Sequence, residues 1–231
     1  MSEPNPDDLS GYYAHVTALD DQLGRPTRAL EETGHLENTI FVFTSDHGDM
    51  LGSQGLQRQQ HPWDESIRVP FIVRCPDQAA NGHVIKSPLN VVDIMPTLLG
   101  LADFPIPESV EGLDHAPAIR GEKFDGNDAA LTMCISPFAE YQRLPWRGVR
   151  TVRHTYAWQL DGPWLLYDNQ EDPFQMKNLI DTPDKVDLQS SLEKRLSELL
   201  DERNDAFLPA QAYLDRFGFE VDERGAVPYT N

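Results

Sequence analysis

The chain has 231 residues, 39% hydrophobic and 25% charged, long enough for one large domain, or a domain with a satellite, around a sizeable core. Its 38 acidic and 19 basic side chains leave a formal charge of -19, which repels nucleic-acid backbones and anionic membrane surfaces. No run approaches the ~20 apolar residues of a membrane span, and the first ten residues carry neither a basic nor an apolar leader region; two cysteines, Cys75 and Cys134, cannot build a disulfide framework. The expectation is a cytoplasmic protein with no nucleic-acid and no membrane partner.

In chain order, Val16, Leu19, Leu23 and Leu30 follow helical spacing, with Ser10 as the N-cap and Thr33-Gly34 as the stop. Pro26 inside that pattern predicts a kink or split near Gly24-Arg25. Residues 39–43, TIFVF, are apolar without alternation, which reads as a strand covered on both faces in a parallel sheet. Residues 44–66 read as a polar loop and 69–73 as a second core strand. Residues 91–101 read as a helix opened by Asp93, and a helical turn is placed before Gly121. From Leu131 the pattern changes: 131–135 reads as a short strand, and 147–160 and 164–167 alternate as antiparallel strands turned at Asp161-Gly162-Pro163. A helix capped at Thr182-Pro183 runs through Leu192, Leu196 and Leu199, and 205–231 reads as a polar tail. The fold class is therefore α/β: a helix-covered, mostly parallel sheet in residues 1–128, then a small antiparallel sheet with a helix in 129–231.

The sharpest chemical feature is Thr44-Ser45-Asp46-His47-Gly48, directly after the strand 39–43. Ligands of open parallel sheets sit at the carboxyl ends of strands. A carboxylate and an imidazole on one tight turn can both reach a divalent metal, and Gly48 lets the chain turn without a Cβ. An ordinary turn is the competing reading, and two ligands do not make a site alone.

These residues carry a resemblance. Gly11 to Val73, with the run FTSDHGDMLGSQGLQRQQHPWDESIRVPFIV, resembles type I sulfatases around their second metal-binding motif. VVDIMPTLLGLADFPIPESVEG and WRGVRTVRHTYAWQLDGPWLLYDNQEDPFQMKNL resemble the segments that follow in that family. The resemblance is collinear from about Gly11 to Leu200 and implies the alkaline phosphatase superfamily fold, an α/β sandwich with a smaller C-terminal part. Family members are about twice this long, so the chain resembles their C-terminal half. Their nucleophile is a formylglycine made from a C/S-x-P-x-R motif, which neither Cys75 nor Cys134 matches; formylglycine is not encoded here.

The resemblance implies that Asp46 and His47 are metal ligands. Calcium is the family metal, and the imidazole leaves manganese or zinc open. Gln59 falls at the position of a family lysine that contacts sulfate; a neutral amide donates hydrogen bonds without neutralising charge. His61, in the same loop, is a further candidate for substrate contact, against the plainer reading of a loop histidine without a role. Asp49 and Asp64-Glu65 read as solvated or structural carboxylates. The expected partners are a sulfate-ester small molecule or sugar and a separate N-terminal half. Three functions stay open: a sulfatase lacking its nucleophile half, a phosphonate or phosphate ester hydrolase of the same superfamily, and a degenerate, non-catalytic interaction module.

Overall fold

A computed structural model describes residues 6–76, 78, 82–136 and 144–228. They form two compact units, residues 1–59 with 68–126, and residues 60–67 with 127–231. Residues 77, 79–81 and 137–143 lie outside the described residues.

The first unit opens with helix α1, Pro6–Glu32. It starts four residues before the expected cap, because Pro6 fits a first helical position and Asp7 and Asp8 favour the positive end of the helix dipole. The hydroxyl of Ser10 instead donates to the Asp7 carbonyl inside the helix, at 3.1 Å. The helix also runs on through Pro26, with no split at Gly24-Arg25, and the Thr27 hydroxyl donates to the Leu23 carbonyl at 2.9 Å. Gly34, at φ 73°, supplies the left-handed residue that ends it. None of its residues is buried.

Strand β1 is Phe41–Thr44; a single turn, α2 (Asp64–Ile67, in the second unit), precedes β2, Phe71–Arg74. The two strands pair antiparallel, Phe41 opposite Arg74 and Thr44 opposite Phe71. The mostly parallel sheet expected from the sequence is corrected here for this pair. Missing alternation reports two covered faces and carries no information on strand direction, and the helical turns between the strands, Ser53–Gly55 and α2, are too short for a crossover. The strands are half-buried, not buried, and Ile72 is 61% exposed.

Helix α3, Val91–Leu101, begins with a capping box: Asn90 accepts from the helix backbone while Asp93 accepts from the Asn90 N–H at 2.8 Å. Asp93 also takes the Leu113 N–H at 2.7 Å, so one buried carboxylate ties the helix start to the following loop. At Gly112 the two backbones touch; a Cβ there would sit 1.9 Å from the Val92 carbonyl oxygen. The turn α4, Ala116–Ile119, closes before Gly121 at φ 78°. Cys75, Leu101, Ala116 and Ile119 form a small core, with Ile40, Val73 and Ile85 against it.

The second unit is an antiparallel meander, β3 (Ala129–Cys134), β4 (Trp146–Thr151), β5 (His154–Gln159) and β6 (Gly162–Asp168), each strand paired with the next. Helix α5, Val186–Glu202, lays Leu192, Leu196 and Leu199 against Leu131, Val149, Tyr156 and Leu166, which makes the larger core. The expected polar tail contains a further helix, α6 (Ala210–Phe217), closed by Gly218 at φ 66°. What fixes this region is a buried cation. Arg147, 1% exposed, forks onto Asp205 at 2.5 and 3.2 Å, donates to Tyr213 Oη at 3.1 Å and stacks over Phe207.

Candidate functional site

β1 ends at Thr44, and the chain turns at once through Ser45, Asp46 and His47. Asp46 Oδ1 accepts the His47 backbone N–H at 2.9 Å, and Ser45 Oγ donates toward it at 3.2 Å and toward the His47 carbonyl at 2.9 Å. With Oδ1 so occupied, Oδ2 is the oxygen turned to solvent. The His47 amide bond, and after it the neighbouring imidazole, hold the Asp46 carboxyl below the usual carboxylate range.

The His47 ring is oriented by its own neighbour. Nδ1 lies 2.8 Å from the Gly48 carbonyl, which only accepts, so Nδ1 carries the hydrogen and Nε2 presents a lone pair. That is the tautomer of a metal-ligating histidine with a carbonyl behind it. Nε2 is 3.6 Å from Asp46 Oδ2, with the side chains 46% and 84% exposed. Two donors in adjacent positions on one divalent ion lie about 3 Å apart, so the pair fits such an ion with a small adjustment. Among the described residues no group of three or more His, Cys, Asp or Glu is placed to hold a metal ion, which leaves Asp46 and His47 as two donors side by side.

Asp49 organises the loop that follows. Its Oδ1 accepts the N–H groups of Leu51 at 2.8 Å and Arg58 at 3.1 Å, beside a backbone bond from Met50 N–H to the Arg58 carbonyl at 2.9 Å. Met50 itself is fully buried. Leu51, Gln54, Arg58 and Gln60 all adopt positive φ, an unusual density of left-handed residues without glycine's freedom. Gln59, half-buried, sits between two of them.

His61 belongs to the second unit and is 6% exposed, its N–H donating to Ser66 Oγ at 3.3 Å and its ring edge-on to Trp63. The structure thus brings Asp46 and His47 together and assigns Gln59 and His61 to different units. Of the two readings expected for Asp64, solvated or structural, it is the structural one: Arg150 grips both its oxygens, at 2.8 and 2.9 Å. The two cysteines are free and buried; burial pushes the Cys75 thiol up and the Cys134 thiol to about 12, which makes both inert.

Comparison with known proteins decides what the turn belongs to. The Sulfatase family pattern matches residues 2–104. An ulvan-active sulfatase of Formosa agariphila is 39% identical over 228 residues, spanning 96% of this chain and 45% of the relative. The chain is similar to sulfatases along nearly its whole length. It spans less than half the length of that relative. A solved enzyme bound to its substrate D-glucosamine-2-N,6-O-disulfate superimposes with a TM-score of 0.77 at 28% identity, over 83% of this chain and 40% of that one. The phosphonate monoester hydrolase of Agrobacterium radiobacter, TM-score 0.73 at 24% identity over 95% of this chain and 45% of that one, shares the fold. The fold of this sulfatase-like chain is thus the alkaline-phosphatase-like α/β fold. Sulfatases generally use a divalent metal, and Asp46 and His47 offer two donors for one. No described helix is long and apolar enough to cross a membrane.

Proposed function

We propose that this chain is part of a metal-dependent sulfatase that hydrolyses sulfate esters of sugars, with Asp46 and His47 as two of the metal ligands. The observation that carries the reading is the convergence of Asp46 Oδ2 and His47 Nε2, 3.6 Å apart, with the far side of each group already hydrogen-bonded. Sulfated sugars are favoured because one relative is named for ulvan and one structural neighbour was solved with a glucosamine disulfate.

The metal, calcium in this reading with manganese or zinc as the alternatives an imidazole allows, supplies Lewis acidity at the ester oxygen. Asp46 and His47 hold it and fix where the sulfate group lies. Gln59 donates its amide hydrogens to the sulfate; lacking a lysine's charge, it leaves more neutralisation to the metal, in a molecule whose charge of -19 slows the approach of anions. The formylglycine nucleophile comes from the part of a sulfatase that these residues do not include. Two protein donors hold a divalent ion weakly, since calcium takes six to eight oxygens. The exposed apolar side chains of the first unit, Ile72, Val91 and Met95, support a complementing half that would cover them.

The test is a sulfate-ester assay with added Ca²⁺, Mn²⁺ or Zn²⁺, with and without a co-expressed N-terminal sulfatase half. Turnover is expected only with that half, is lost in Asp46→Ala, and rises in Gln59→Lys. Turnover by the chain alone that vanishes in Asp46→Ala refutes the proposal, as does full activity of the complemented Asp46→Ala variant.

A further inference from the structure

The chain that leaves Gln59 does not continue in the first unit: residues 60–67 are built into the second, although 59 residues of the first precede them. Trp146, at the start of β4, donates its indole N–H to the Gln60 carbonyl at 3.0 Å. Arg150, further along β4, forks onto Asp64. Gln175 accepts the Asp64 backbone N–H at 2.8 Å and is itself pinned, its amide donating to Thr155 Oγ1 at 2.9 Å and to Asn169 Oδ1 at 2.8 Å. Trp146 and Gln175 are each 1% exposed, so these bonds are shielded from competing water.

Two of the gripped atoms, the Gln60 carbonyl and the Asp64 N–H, are main-chain atoms. What is held is therefore the path of the backbone rather than an apolar contact. That path needs holding, because Arg58 and Gln60, on either side of Gln59, sit at φ 65° and 74°. Side-chain-bearing residues keep such conformations only where surroundings over-determine them. The Asp49 carboxylate does so at Arg58, and the Trp146 indole does so at Gln60.

We infer that Trp146, Arg150 and Gln175 are positioning residues: the second unit acts as a clamp on its own residues 60–64 that fixes the main chain leaving Gln59. The inference rests on the sulfatase reading of Gln59. None of the three touches the reacting group; each acts through the backbone or Asp64.

The experiment uses the full chain with its complementing half and two variants, Trp146→Phe, which keeps a ring and deletes the N–H, and Arg150→Lys, which keeps the charge and deletes the fork. Hydrogen exchange of amides 58–62 is followed beside that of β4–β6, together with kcat and KM for a sulfate ester. Exchange at 58–62 is expected to quicken about tenfold and kcat/KM to fall about tenfold, while the β4–β6 amides keep their protection. Unchanged exchange at 58–62, loosening that only tracks loss of the sheet, or a loosened loop with unaltered kcat/KM each overturns the clamp. If the unmutated pair shows no turnover, the sulfatase reading fails while the exchange comparison still judges the clamp. Should Trp146→Phe not fold, Gln175→Glu carries the same comparison.

Discussion

Asp205→Ala is expected to remove the anchor of the C-terminal segment. Arg147 is 1% exposed in its side chain and Asp205 15%. Burial alone would raise the Asp205 carboxyl, but the Arg147 guanidinium, the Phe207 amide and Tyr213 together keep it below the usual range. Deleting it strands a guanidinium in the interior. Breaking a buried pair in this way costs about 3–5 kcal/mol, and the slight exposure of Asp205 argues for about 3 kcal/mol. For a unit of roughly 110 residues each kcal/mol moves the midpoint by about 4 °C, so the second unit should melt about 12 °C lower. Calorimetry reads this directly, and amide exchange should show α6 released first. The double variant Arg147→Met with Asp205→Leu leaves no buried charge and should recover to within about 1 kcal/mol of the parent. A single variant that melts within about 4 °C of the parent, or a double variant as damaged as the single, refutes the reasoning.

Two other outcomes follow from geometry. Gly112→Ala forces a methyl group 1.9 Å from the Val92 carbonyl oxygen and 2.8 Å from the Asp93 Cα, backbone atoms that cannot rotate aside. A loss of at least about 2 kcal/mol is expected in chemical denaturation, and an unchanged midpoint would show the approach to be looser than drawn. Asp168, forked by Arg153 at 2.6 and 2.8 Å, is held down to about 2. Its folded value is depressed, so its stabilisation is complete above about pH 4 and fades as pH falls toward 2. With Arg153 45% exposed the contribution is discounted to about 1 kcal/mol, and Asp168→Asn should flatten that limb of a melting-temperature profile.

The turn at Asp46-His47 was legible as a turn because its signal is local: an apolar run ends and Asp-His-Gly follows. The strand at 41–44 and the helix at 91–101 were legible for the same reason, as was the alternation of β4 to β6. Strand direction was not, since pairing is decided between β1 and a segment some thirty residues later. The start of α1 was misplaced because Ser10 competes with a Pro-Asp-Asp opening of equal local merit. α6 was invisible because its eight residues owe their place to Asp205 and Tyr213 meeting Arg147, whose distance in sequence, 58 and 66 residues, no local pattern spans. The ties of residues 60–64 to the second unit were hidden likewise; Asp64 reads as one more acid in an acidic chain until Arg150 is beside it.

The interleaving of residues 60–67 with a later-made sheet has a consequence during synthesis. The partners of Gln60 and Asp64 on β4 lie 86 residues downstream, and Gln175 lies 111 residues beyond Asp64. At about 5–20 residues per second, the loop after Asp46-His47 waits roughly 4–20 s for its first partners to be translated. A segment idle for that long would be a hazard if it were apolar and strand-forming, whereas SDHGDMLGSQGLQRQQ is polar and rich in glycine. The composition that marks this stretch as a loop thus also suits a nascent chain whose ties to β4 are made late.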